Sequence, residues 1–457
     1  MGRRGEGLGR EDRLSYLQEL AAFACRTRLA DLPAKVLERT RWIVADSLPV
    51  IAAGMQQPEM QALLKHPLSN GNAWVIGTRK RAGAMEAALL NGTAGTWLEL
   101  NEGNLFAKGH PGIQVVPAAV ALAQDSGASG EALLTAVAVG YEVSSRISRA
   151  AQMKIAVHPH GTWGTLGAAV AAARLKGFDQ RRMRELINVS ATMGMATSRQ
   201  TLLDGATVRN IFTGHSGTMG LMAARLVECG FTGEADSPAS IYGKVLADGF
   251  DPAKATEGLG REWMLAQGYF KLHPTGRYVH SAIDALEDLL ARSGKIDLAR
   301  IARIEVKAYR LAAMLKEQRV TSSFGARFSV PFALATILHH GRSELAAFEQ
   351  AAVDNPAIQA LAARVHVQEE PGYTARYPAE QVVDLRMMLS TGQTLEGHCT
   401  ITKGEPSKPH RPEELEAKFM QLGAPLWGER VARRLLEGCL RLEALPDFSR
   451  FAEGFDL

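Results

Sequence analysis

Histidine precedes proline at His110, His158 and His273, and each of these steps lies beside glycine or a run of small residues. Imidazole has a reference pKa of about 6.5, so it can take or give a proton near neutrality. Around these steps stand polar residues with apolar or glycine-rich flanks. They fall in five segments: 97–112, 156–162, 203–216, 269–280 and, more weakly, 324–329. The candidate residues are Glu99, Asn101, His110, His158, Thr162, Arg209, Lys271, Thr275, Arg277 and His280. Bases beside cations and helix starts suit an anionic substrate. The cations hold a carboxylate and spread the negative charge that develops when the neighbouring carbon loses its proton.

Each residue also has a plainer reading. Glu99 and Glu102 can end a solvated helix, and a histidine before proline can simply stop one. Thr162 can cap the helix that follows, Arg209 can answer Asp204, and a single lysine such as Lys271 usually sits at the surface. The recurrence of the whole set at the mouths of small-residue helices argues against taking them singly.

Such groups need rigid elements to hold them. At 457 residues the chain exceeds one small core, and two domains are expected. Up to about residue 270 the apolar period is helical, predicting helices over 15–29, 33–53, 84–98, 115–124, 130–150, 161–175 and 216–228, with a loop over 206–214. Segment 161–175, GTWGTLGAAVAAARL, carries small residues that let backbones approach, which places it deep in the core. Beyond 270, alternation predicts strands over 301–309, 363–368, 382–389 and 394–402, interleaved with helices over 280–293 and 326–340. The tail is helical again over 412–422 and 427–442. The fold class is mainly α with an α+β part.

Composition and motifs remove several functions. The 52 basic and 48 acidic residues give +4 without a basic stripe, since Arg3, Arg4 and Arg10 are interleaved with Gly and Glu; no nucleic-acid partner is expected. No apolar h-region opens the sequence and no run approaches the roughly 18 apolar residues of a membrane span. The four cysteines are scattered without a CxxC pair, which fits a reducing cytoplasm rather than a disulfide framework or an iron–sulfur site. GxxxxGK[ST], HExxH, GxSxG and a strand-borne GxGxxG are absent. These absences argue against nucleotide, zinc-hydrolase and serine-hydrolase chemistry and leave open a metal site built from scattered His and Asp.

The stretches NGTAGTWLELNEG, GHPGIQVVPAAVALA, VHPHGTWGTLGAAVAAARLKGFD, DGATVRNIFTGHSGTMGLMAARLVECGFTG, KLHPTGRYVHSAIDAL, ARFSVPFALATIL and PEELEAKF span nearly the whole chain. In this order they resemble the MmgE/PrpD family, which includes 2-methylcitrate dehydratase, cis-aconitate decarboxylase and iminodisuccinate epimerase. The resemblance implies a large all-helical domain over 11–271, a smaller α+β lid over 272–404 and C-terminal helices over 405–457 that return to the helical domain. It also implies a homodimer, no metal, nucleotide or iron–sulfur cofactor, and a site between the domains. His110, His158 and Lys271 fall on family positions, with His158 or His110 as the base and Lys271 as a carboxylate anchor. The sequence departs where many members carry an acidic stretch preceded by histidine. Here Thr96 replaces the histidine, Glu99 keeps the first acid and Asn101 replaces the second with an amide. Arg209 stands where a lysine is frequent. It can grip a carboxylate bidentately but is a poor proton donor or acceptor.

The leading expectation is a cofactor-independent hydro-lyase that removes a proton α to a carboxylate of a small polycarboxylate. An epimerase needs only two bases on opposite faces of one carbon, and a decarboxylase uses the same cations on a carbanion, so both stay open. A non-catalytic scaffold is disfavoured because His110, His158, Arg209 and Lys271 all retain chemistry-capable side chains.

Overall fold

The computed structural model describes residues 10–294, 296–452 and 455, with side chains from Ser15 onward; Arg3 and Arg4 lie outside them. Helices dominate the first part: α1 (Arg10–Arg26), α2 (Ala34–Met55), α3 (Ala84–Gly95), α4 (Pro111–Ser126), α5 (Gly130–Ala150), α6 (Gly164–Leu175), α7 (Gln180–Ala191) and α8 (Ile211–Glu228). Local chemistry sets several of their ends. Ser129 accepts the Ala132 N–H to start α5, Asp179 accepts the Arg182 N–H to start α7, and Gly127, at φ 64, closes α4 in the left-handed region.

After α9 (Arg277–Ser293) comes a four-stranded sheet formed by β1 (Ile301–Ala308), β2 (Val365–Glu369), β3 (Val383–Leu389) and β4 (Thr394–Cys399), in the order β2-β1-β3-β4. The β1–β2 pair is parallel, with Ile304 opposite Val365, while β1–β3 and β3–β4 are antiparallel. A parallel neighbour requires a long crossover, and α10 (Val330–His340) lies within it. One hydrophobic cluster takes residues from Tyr16 to Phe270 and again from Leu415 to Ala452. A second runs from Val279 to Cys399. The last helices, α11 (Pro412–Trp427) and α12 (Glu429–Cys439), therefore pack with the first cluster. Buried Lys418 on α11 ties that return to the body, bonding Asp46 Oδ1 at 2.5 Å and the Leu100 carbonyl at 2.7 Å.

Strand and helix ends differ from the sequence reading by a few residues, and one assignment needs correcting. Segment 206–214 is not a loop: Thr207–Asn210 forms a 3₁₀ turn and α8 begins at Ile211. Its glycine and threonine content hid a helix that burial imposes. On α8, Gly214 lies so close to α3 that an added Cβ would meet the Leu89 carbonyl oxygen at 2.3 Å. Since α3 leads into Glu99 and α8 follows Arg209, this seam sets the spacing of those two side chains.

Gly214→Ala should therefore destabilise the fold by about 1–3 kcal/mol through overpacking. At Gly217 a Cβ meets the Ala88 methyl at 3.2 Å, so Gly217→Ala should cost less. Denaturant unfolding of the two variants checks the order, and equal midpoints would show that the seam can open.

Candidate active site

A cavity of about 50 Å³ lies where the two clusters meet, walled by Glu99, His110, His158, His160, Arg209, Tyr269 and Arg277 among others. The strands of chain that carry these residues are stitched together. Gly103 and Tyr269 exchange backbone hydrogen bonds at 3.0 and 2.7 Å, and the Asn104 amide donates to the Met264 carbonyl at 2.7 Å. The turn before Tyr269 is held in turn by buried Glu142, which accepts the N–H groups of Met264 and Leu265 and pairs with Arg146 at 2.7 Å.

Glu99 lies at the centre of the charges. It follows α3 in a left-handed conformation, φ 53, which for a residue with a Cβ costs on the order of 1–3 kcal/mol and persists only when its surroundings enforce it. Its Oε1 meets Arg209 Nη1 at 2.7 Å and its Oε2 meets Lys271 Nζ at 3.2 Å, with all three side chains buried. The cations outweigh the desolvation of Glu99 and hold its carboxyl down to about 2. Burial pulls Lys271 down to about 8 against the attraction of Glu99. Arg209 thus answers Glu99 and not Asp204, which accepts instead from Gln200 at 2.6 Å. Lys271 does not line the cavity; it stands behind Glu99.

Three imidazoles meet edge to face. His160 lies 4.9 Å from His110 and 4.6 Å from His158 between ring centroids. His110 Nδ1 lies 2.6 Å from the Glu102 carbonyl, which can only accept, so the proton sits on Nδ1 and Nε2 presents a lone pair. Burial and the Lys271 charge push this ring down to about 3. His158 faces two donors, the His160 backbone N–H at 3.1 Å on Nδ1 and Arg209 Nε at 3.3 Å on Nε2. A neutral ring accepts at only one nitrogen. A proton on Nε2 would face the charged Arg209 donor and a proton on Nδ1 would face the backbone donor, so only one of the two contacts is a hydrogen bond at a time. Burial and the Arg209 charge hold His158 well below the ordinary value. His160 is buried, and among the described residues neither of its ring nitrogens has a hydrogen-bond partner.

Sequence reasoning placed His160 in a candidate segment without selecting it, although its position two residues after His158, across a proline, was the available signal. Tyr269 and Glu405 were also missed. Arg277 Nη2 pairs with Glu405 at 2.6 Å and its guanidinium lies 4.2 Å over the Tyr269 ring. Besides Lys271, four candidates are not cavity walls. His280 accepts from Arg277 at 3.3 Å and donates to the Thr275 carbonyl at 3.3 Å, so His280 and Thr275 orient Arg277. Thr162 bonds the Pro159 carbonyl at 2.7 Å, bracing the His158–His160 turn, and is not the cap of α6, whose N-cap is Trp163. Asn101 makes only a 3.4 Å contact with the Glu102 carbonyl.

A metal-capable donor set lies elsewhere. His273, Asp284 and Glu287 bring ligand atoms within 4.8 Å of one another, beside a recess that shares no wall residue with the histidine cavity. No helix among the described residues is long and apolar enough to cross a membrane.

Residues 18–251 match the MmgE/PrpD N-terminal domain and residues 273–443 match the MmgE/PrpD C-terminal domain. The chain belongs to the MmgE/PrpD family. Similar proteins in this family carry enzyme names. A cis-aconitate decarboxylase-like protein of Aspergillus oryzae is 25% identical over 94% of this chain and 95% of its own. A cis-aconitate decarboxylase of Aspergillus terreus is 22% identical over 95% and 94%, and the human cis-aconitate decarboxylase is 25% identical over 79% and 77%.

Replacing Glu99 by glutamine keeps the shape of the MmgE/PrpD site but leaves Arg209 and Lys271 buried without their carboxylate. The expected loss is about 3–5 kcal/mol of stability, with Lys271 titrating below its present value of about 8. Unfolding midpoints and the NMR titration of methyl-labelled lysine measure both. An unchanged midpoint would show that the cations have other partners.

Proposed function

We propose that this protein is a lyase acting on a small polycarboxylate, and that the reaction is elimination of water across the bond next to a carboxylate. The observation that carries this reading is His110 Nε2, left with its lone pair by the bond at Nδ1, in a cavity also walled by Arg209 and His158. The substrate's carboxylate lies against Arg209, whose guanidinium stabilises the charge developing on the carboxylate oxygens, with His158 beside it. His110 Nε2 takes the α-proton. The C–H pair becomes the C=C bond, the C–O bond breaks, and the proton on His110 joins the departing hydroxide to make water. Lys271 acts from behind Glu99, fixing its charge and orientation. The smaller α+β unit serves as a lid over this site, and side chains alone carry the step. A homodimer in the cytoplasm is the setting that goes with the family reading.

Decarboxylation is the second reading, favoured by the names of the similar proteins from two Aspergillus species and from human. There the C–C bond to a carboxylate breaks, CO₂ leaves, and a proton is delivered to the same carbon. Incubation with 2-methylcitrate, citrate, cis-aconitate and substituted succinates in D₂O, followed by proton NMR and CO₂ release, separates the two. His110→Ala should lower turnover by about 10²-fold or more, and His158→Ala should slow it with the base still in place. Full activity without His110 would sink the assignment.

The pH profile is a second check. His110 must be neutral and is depressed to about 3, so kcat/KM should show no inflection near 6.5. Lys271 must be charged, so activity should be lost as pH rises through about 8. Lys271→Arg should move that limb upward. A limb that stays in place would point away from Lys271.

A further inference from the structure

Outward from the histidine cavity lies a second recess of about 290 Å³. Lys108, Pro159, Arg199, Tyr278 and Tyr377 line both spaces, so the two share a wall and meet at it. The recess is apolar on both sides: Met153, Ile155 and Val157 come from the helical body, and Leu311 from the α+β unit. There the rings of Tyr309 and Tyr377 stack at 5.0 Å and 12°. Ile155 is 50% exposed, a large apolar side chain left facing this space. The shared wall is cationic. Lys108 bonds the Ser148 carbonyl at 3.1 Å and that of Ala151, and Arg199 bonds the carbonyls of Ile155 at 2.6 Å and Val157 at 3.2 Å. Among the described residues neither has a carboxylate partner. The histidine cavity itself, at about 50 Å³, has room for roughly three to five waters. That suits the reacting end of a substrate and not a long one.

We infer that the recess receives the tail of the substrate, and that this substrate is a polycarboxylate bearing an alkyl chain of several carbons. Its carboxylates lie with Arg209 and the histidines, Lys108 and Arg199 add positive charge where head and tail meet, and the chain lies among Ile155, Val157 and Leu311. The inference rests on the polycarboxylate reading for its head group. The apolar recess supplies the tail, and fixed positive charge at the junction favours an anionic head over a neutral lipid.

The test uses the full-length protein and a series of 2-alkylsuccinates and 2-alkylcitrates with hydrogen, methyl, propyl and hexyl substituents. Calorimetry measures affinity and NMR measures turnover. Affinity, and kcat/KM where there is turnover, should rise about fourfold per buried methylene until the recess is filled. Leu311→Trp should remove that gradient while leaving the unsubstituted compound unaffected. If that variant misfolds, Ile155→Glu, at a half-exposed position, should reverse the gradient by placing a carboxylate beside the chain. Affinity that is flat or falls with chain length in the unaltered protein overturns the tail site, whatever is turned over. A clear gradient in affinity with no turnover of any member keeps the tail site and overturns the lyase reading instead.

Discussion

The site depends on burying one carboxylate between two cations. Taking Glu99, Arg209 and Lys271 out of water costs several kcal/mol for each charge, and this is offset only when the partners are close and well aligned. The three come from separate parts of the sequence: the turn after α3, the 3₁₀ turn before α8, and the chain leaving the helical body toward α9. Their convergence therefore requires the glycine seam between α3 and α8, the backbone pairing of Gly103 with Tyr269, and the left-handed turn at Glu99. A carboxylate that must meet two cations at once accounts for a strained backbone at a residue that would otherwise avoid it.

The broad architecture was legible because burial writes itself into period. The 3.6-residue apolar repeat marked α5 to the residue, and alternation marked all four strands of the sheet within two or three positions. Where the signal failed, tertiary contact had replaced it. Segment 206–214 is rich in residues that favour turns, yet Phe212, Thr213 and Gly214 are buried and helical because α3 and α6 pack against them. At the site, residue type was enough to nominate His110, His158, Arg209 and Glu99, which do line one cavity. It could not separate walls from braces. Thr275 and His280 share a segment with Arg277, yet they act on it through hydrogen bonds, and its carboxylate partner, Glu405, lies 128 residues away. Such a partner has no local signature.

Tautomers were beyond sequence altogether, because they follow from which backbone group each ring meets. Glu102 illustrates the point. Its side chain, pushed up to about 7 by burial, accepts the Gly112 N–H at the start of α4 at 2.5 Å, while its carbonyl fixes the proton of His110. One residue thus caps the helix that His110 precedes and sets which nitrogen of that histidine is available. The amide at Asn101, by contrast, takes no part in the cavity, so the change from acid to amide beside Glu99 leaves the charge arrangement intact.

The charge balance gives the site its character. Glu99 supplies −1 against +2 from Arg209 and Lys271, Arg277 is balanced by Glu405, and the three histidines are held neutral. The remaining positive charge is what depresses His110 beyond the effect of burial, since Lys271 and Arg209 both oppose its protonation. On the proposed function, an arriving polycarboxylate would supply the missing anion. Its charge screens His110 from those cations and favours the imidazolium, which moves the ring back toward its ordinary value of about 6.5. On that reading His110 would be a weak base without an anion beside it and would strengthen when the correct charge enters. A neutral molecule of the same shape would leave it weak. Selectivity for anions and the basicity needed for proton removal would then follow from the same pair of cations, with no further residue required to couple them.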